Sequence, residues 1–317
     1  PTRVIDVGQL SSSSPLRLHV CEHNEKARYA ALSYCWGLEQ QVITTTGSIA
    51  AFQNGIIESS LPKTIQDAIR ITRGLEIQYL WVDALCIIQD SVEDKSVEIN
   101  EMGRIYKNAS ITIAALEAAT AFDGFTRELV PVTHLPYPGT HSDHGIHHLD
   151  TRGWTLQEFL LSPRLLLFSQ TEVLWQCQQV QVDPVLPSSR QYHPDDISRL
   201  PSSVFGIHSS SNVFNTKEER ARIWILFMRN YSRRQFTLNE DRWYAMAGII
   251  DELSHVWHDA CLAGHWKSCL AESLAWYCVP LDAPVPLSHS VPSYTAPTWS
   301  WMSPWCPVNA IVYHTPS

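Results

Sequence analysis

Six polar side chains fall where short apolar segments run out: Ser33, Tyr34, Asp83, Gln89, Arg152 and Glu158. Two carboxylates among aromatic residues suit a sugar-like or nucleotide ligand, because a carboxylate can stabilise the positive charge of an oxocarbenium ion. The aromatic neighbours are Trp36, Trp81 and Trp154, and Cys86 lies in the same apolar run as Asp83 and Gln89. Asp83 sits in that run where an aliphatic residue is expected, and a buried ionised carboxyl is costly unless it is paired or hydrogen-bonded. It therefore needs a partner, or a place at the exposed end of a strand, where sites form in open α/β sheets.

The elements that would hold these residues can be read in order. Residues 79–90, nearly all apolar, read as a buried strand at the centre of a sheet. Val4 to Val7 and Leu16 to Val20, around the serines 11–14, read as an opening hairpin. Tyr29 to Gly37 reads as a short strand that delivers Ser33, Tyr34 and Trp36 to a loop. Residues 59–74 carry a helix signature, with Ser60 as N-cap, Pro62 in the first turn, Ile65, Ala68 and Ile69 on one face, and Gly74 as the stop. Glu98 to Tyr106 reads as a second helix and Ser110 to Ala115 as another strand. Thr155 to Leu161 reads as a short helix halted before Pro163, followed by a strand pair at 164–168 and 173–177.

Alternating helices and strands with short connections predict an α/β fold, a mainly parallel sheet with flanking helices over residues 1–180. Residues 181–317 are expected to form a mostly helical C-terminal region packed on that core. Its predicted helices are 218–231, 242–257 and 265–277, and 298–301 is expected to be a final Trp-rich strand.

Composition narrows the function. With 44% hydrophobic and 17% charged residues, the 317-residue chain can bury a large core. A net charge of −9 without clustered Lys and Arg argues against nucleic acid and anionic lipid as partners. The eight cysteines lack a C-x-x-C pair and several fall in apolar segments, the usage of reduced thiols in an intracellular protein. No window is long enough for a membrane helix and the start lacks a signal-peptide core, so a soluble cytoplasmic protein is expected. The histidines at 141, 144, 147 and 148 are closely spaced, but without a cysteine or a helical frame to complete a tetrahedral site they read as a polar loop. No metal and no bound cofactor are expected. The glycine-rich nucleotide motifs, H-E-x-x-H and G-x-S-x-G are all absent.

Three blocks resemble one family, the fungal heterokaryon incompatibility domain. They are Tyr29 to Gly37; Leu61-Pro62 through Tyr79 to Asp90 and on to Met102 to Tyr106; and Arg152-Gly153-Trp154-Thr155-Leu156-Gln157-Glu158. The resemblance runs over residues 29–177 and more weakly downstream. It implies a TIR/flavodoxin-like core and a fungal intracellular protein that triggers cell death after non-self recognition. Some TIR domains cleave NAD with a glutamate a few residues after a tryptophan. By that analogy Glu158 is the reactive residue and Asp83 an orienting acid, both catalytic, with NAD as a possible substrate. Ser33, Tyr34, Trp36, Cys86, Gln89, Arg152 and Trp154 would contact the small-molecule substrate or nucleotide. The alternatives are a non-catalytic signalling module acting as a homo-oligomer, and a cyclase or isomerase of secondary metabolism using an aromatic-lined pocket.

Overall fold

The computed structural model describes residues 1–8, 15–38, 42–126, 148–169, 173–178, 200–207, 216–238, 240–279 and 296–310. The chain divides into two compact units, Pro1–Arg190 and Gln191–Ser317. Serines 11–14 and histidines 141, 144 and 147 lie outside the described residues.

The first unit is built on a seven-stranded sheet. Its strands are β1 (Arg3–Asp6), β2 (Arg17–Val20), β3 (Tyr29–Ser33), β4 (Tyr79–Trp81), β5 (Ile111–Ala115), β6 (Arg164–Phe168) and β7 (Val173–Cys177), in the order β2-β1-β4-β3-β5-β6-β7. Pairings β4·β3, β3·β5 and β5·β6 are parallel, while β1·β2, β1·β4 and β6·β7 are antiparallel. A parallel centre is thus bordered by the two expected hairpins, one at each edge. The helices are α1 (Ile49–Asn54), α2 (Lys63–Gly74), α3 (Asp83–Cys86), α4 (Val92–Asn108) and α5 (Gly153–Leu161). β3 and β5 are buried at every position, which is why their sequences, Tyr-Ala-Ala-Leu-Ser and Ile-Thr-Ile-Ala-Ala, hold no charged residue and are mostly apolar.

Two local readings change. The apolar run 79–90 is a strand only over Tyr79–Trp81; at Asp83 the chain turns into α3, whose Ala84, Leu85 and Cys86 are buried like strand residues. A short apolar run has no periodicity with which to tell a strand from a buried helical turn. The N-cap of α2 is Pro62, and Ser60 instead ends a 3-10 turn, Glu58–Ser60, with its hydroxyl donating to the Ile57 carbonyl at 2.7 Å.

The second unit contains α6 (Lys217–Tyr231), α7 (Asp241–Trp257), a hairpin of β8 (Cys261–Leu262) with β9 (His265–Trp266), the turn-length α8 (Leu270–Ser273), and β10 (Trp276–Cys278) paired antiparallel with β11 (Val308–Ala310). Thr216 and Glu219 close a capping box at the start of α6. Trp224, Phe227, Tyr231, Trp266 and Trp301 form a fully buried aromatic core. The indoles of Trp224 and Trp301 both donate to the Gly264 carbonyl, at 2.7 and 2.6 Å. Gly264 has φ +84° and a Cβ there would meet Trp301 Nε1 at 2.8 Å, so only glycine fits.

Three expectations fail in this unit. Residues 265–277 are not one helix but a strand, a 3-10 turn, α8 and β10, because the side-chain spacing that looked helical is shared among separate short elements. Residues 298–301 form a turn that buries Ser300 and Trp301, and the last strand among the described residues is β11. Cys278 and Cys306 are joined in a disulfide, so the cysteines are not all reduced; Cys21, Cys35, Cys86, Cys261 and Cys269 are in no disulfide. Among the described residues no helix is long and apolar enough to cross a membrane.

Candidate functional site

In chain order the four parallel strands run β3, β4, β5, β6 and lie as second, first, third, fourth, so the direction of winding reverses between β3 and β5. The carboxyl ends of strands at such a reversal are where open α/β sheets form a crevice. β3 ends at Ser33, and its chain continues through Tyr34, Cys35 and Trp36. Next to it β4 delivers Asp83 at the first position of α3. α5, leading into β6, carries Arg152 at its N-cap and Glu158 in its second turn. Ser162 fixes the far end of α5: its hydroxyl donates to the Glu158 carbonyl at 2.6 Å and bonds the Thr112 hydroxyl of β5 at 2.6 Å.

These elements bring Glu158, Asp83 and Arg152 into one electrostatic cluster, with Glu158 buried and Asp83 and Arg152 partly exposed. Glu158 is 6% exposed, and the Ser33 hydroxyl donates to its Oε2. The Tyr106 hydroxyl, which donates to the Leu32 carbonyl at 3.1 Å, also lies against Glu158. Burial raises the Glu158 carboxyl to about 7; the Asp83 charge pushes the same way, while Ser33, Arg152 and Tyr106 oppose them. Asp83 accepts from Trp36 Nε1 at 2.8 Å and from the Ala84 amide at 2.7 Å. Its carboxyl is also raised, chiefly by burial and against the pull of Arg152 and these donors. The buried Tyr34 hydroxyl lies near Asp83 but outside good hydrogen-bond geometry with any partner. Arg152 donates to the Tyr34 carbonyl, and the charges of Glu158 and then Asp83 hold its guanidinium protonated against burial.

Of the residues singled out by sequence, Ser33, Tyr34, Trp36, Asp83, Arg152 and Glu158 come together. Trp154 is half-buried on the first turn of α5 and packs against the core of this unit. Gln89 serves the backbone, its amide donating to the Asp83 carbonyl at 3.0 Å and the Ile87 carbonyl at 3.3 Å. Cys86 is fully buried; its sulfur accepts from the Val82 amide at 3.4 Å and burial pushes its thiol up. Trp81 is fully buried edge-on to Tyr106, at 5.5 Å between ring centres, and lines the core. Tyr106 joins the cluster although its sequence position reads only as the packing face of a helix; its place at the end of α4, a turn before β5, is the signal that it could reach the strand ends.

A cluster of one cation and two raised carboxyls can hold or move a proton and can face a developing positive charge. No curated protein and no solved structure matches the chain. Residues 29–144 match the family model described as heterokaryon incompatibility protein (HET), a span that contains Ser33, Tyr34, Trp36, Asp83, Cys86 and Gln89 and ends before Arg152. The matched span, which holds β3, β4 and β5, is thus similar to the heterokaryon incompatibility (HET) domain.

Proposed function

We propose that this incompatibility-type protein cleaves the bond between ribose and nicotinamide in NAD or a related nucleotide, acting in the cytoplasm of a fungal cell as a trigger of cell death. The observation that carries the reading is the Glu158 carboxyl, enclosed at the reversal of the sheet, bonded to Ser33 and raised to about 7. Ionised Glu158 would stabilise the oxocarbenium ion as the C1′–N bond breaks and its electron pair leaves with nicotinamide. Water then adds at C1′ and its proton is released, giving ADP-ribose. Arg152 supplies charge for a phosphate, and Trp36 and Trp154, both partly exposed, supply aromatic faces.

Incubating the purified chain with NAD and measuring nicotinamide by chromatography tests this. Turnover should rise with pH through about 7 as Glu158 loses its proton, and Glu158→Gln should lower it roughly a hundredfold or more. Equal turnover by the variant, or none by the parent chain, rejects the proposal.

The enclosure of Glu158, 6% exposed, supports a second reading, in which the cluster fastens α5 to β3 in a non-catalytic module that signals by self-association. Toxicity on expression would then survive Glu158→Gln. An aromatic-lined cyclase or isomerase pocket has less support, because Trp81 is consumed by the core.

A further inference from the structure

We propose that His19, Cys21 and Glu25 form a binding site for a borderline-soft divalent cation of the zinc class. The site is at the outer edge of the sheet, on β2, away from the strand ends that gather Asp83 and Glu158. His19 pairs with Val4 across the β1·β2 ladder, and the Cys21 amide continues the ladder by donating to the Thr2 carbonyl at 2.9 Å. The two-residue period of a strand therefore places the His19 and Cys21 side chains on one face. A tight turn then returns the chain: the Glu25 amide donates to the Glu22 carbonyl at 3.1 Å, Asn24 takes φ +65°, and the Glu22 amide donates to Glu25 Oε2 at 2.9 Å. The result is a ring, H-x-C-x-x-x-E, in which His19 Nε2 meets both Glu25 oxygens at 3.0 and 2.9 Å.

One nitrogen, the sulfur and one carboxylate oxygen of this ring all lie within 4.8 Å of one another. Tetrahedral zinc with ordinary bond lengths needs such atoms roughly 3.3–3.5 Å apart, so ligation asks for a movement of about 1 Å in partly exposed side chains. The His19 ring is already held against Tyr79, 5.2 Å between centres. The mixed S, N, O set selects a zinc-class ion over magnesium or calcium, which take oxygen ligands.

A second, independent feature favours a cation. A cavity of about 410 Å³ opens beside Cys21, lined also by Glu22, His23, Glu98 and Glu101. Glu98 is 1% exposed and Thr2 lies against its carboxyl, yet Oε2 is outside good hydrogen-bond geometry with any partner, while Oε1 is 3.8 Å from Arg3, a guanidinium engaged at 2.6 Å by Asp94. Three protein ligands leave the fourth position to an exchangeable water. On binding, the Cys21 S–H proton goes to solvent, the thiolate takes the metal, and His19 exchanges its hydrogen bond to Glu25 for the ion.

The test is titration of the chelator-stripped 317-residue chain with Zn²⁺ alone, read by competition with a zinc indicator, and with Co²⁺, read by absorption. One equivalent per chain and a thiolate-to-cobalt charge-transfer band are expected. Cys21→Ser should remove the band, and Cys21→Ser, His19→Ala and Glu25→Gln should each weaken Zn²⁺ binding by roughly tenfold or more. Cys261→Ser should do neither. Circular dichroism verifies that each variant is folded, and Glu25→Gln, on the exposed turn, keeps the test valid if Cys21→Ser misfolds. Absence of saturable Zn²⁺ binding, or affinity unchanged by both Cys21→Ser and Glu25→Gln, overturns the site.

Discussion

The first unit buries two acidic centres by opposite means. Asp67, on α2, is fully buried, and its carboxyl is saturated: Oδ1 takes the ammonium of Lys63 at 2.6 Å and the Arg70 guanidinium, and Oδ2 takes the amides of Phe125 and Thr126 at 2.9 and 3.0 Å. Burial alone would raise this acid, yet these donors hold it below its ordinary value. Glu158 and Asp83 share the charge of one arginine and are both raised. A saturated carboxylate has one stable protonation state and works as a fastener; an under-compensated pair has protons to exchange. Gly124 shows how closely the fastener is built, since at φ +68° a Cβ would meet Lys63 Cγ at 2.6 Å and Asp67 Oδ2 at 2.9 Å.

The largest effect should come from breaking the fastener. Asp67→Ala leaves Lys63 and Arg70 without their acid and two backbone amides without an acceptor. A loss of about 4 kcal/mol in unfolding free energy is expected, measured by denaturant titration. Since the folded-state acid is lowered, its contribution is present above the unfolded value of 3.8 and is lost as pH falls below it. A loss under about 1 kcal/mol would remove the contrast between the two centres.

Glu158 should behave oppositely. Its folded-state acid, about 7, is above the unfolded value of 4.5, so the folded chain binds more protons between those limits. Stability should therefore fall as pH rises from 4.5 to about 7, by on the order of 3 kcal/mol. In Glu158→Gln that share of the fall should be lost, leaving only what the raised Asp83 contributes. The measurement is unfolding free energy of both chains across this window, and identical slopes would show that Glu158 is not the proton-binding group.

What the sequence made legible follows the same division. The hairpins, β3, β5 and α5 announce themselves through short apolar runs and Pro163, because those signals are local. The gathering of Ser33, Asp83 and Glu158 was readable only as polar residues placed at predicted strand ends; the order of the parallel strands makes them neighbours, and that order is a long-range property. Asp67 was hidden within a helical face whose legible residues were Ile65, Ala68 and Ile69, since its amide donors lie more than fifty positions away. The aromatic core of the second unit misled in the other direction. Trp266, Cys269 and Leu270 keep helical spacing while occupying β9, a 3-10 turn and α8, because burial alone demands apolar residues there whatever the backbone does.

The smallest effect tests whether Asp83 belongs with Glu158 or is a second fastener. Trp36→Phe keeps an aromatic ring but removes the indole donor 2.8 Å from Asp83 Oδ2, leaving the Ala84 amide and the Arg152 charge to support the carboxylate. One hydrogen bond to a charged acceptor lost from a partly compensated site should cost about 1–2 kcal/mol where Asp83 is ionised, and less where it is protonated. The acid should move further up, because a donor that favours the charged form is gone. The penalty of Trp36→Phe, measured by denaturant at neutral and at acid pH, should therefore shrink on acidification, and it should be smaller in an Asp83→Asn background. A penalty independent of both pH and Asp83 would mean that Trp36 acts by packing alone.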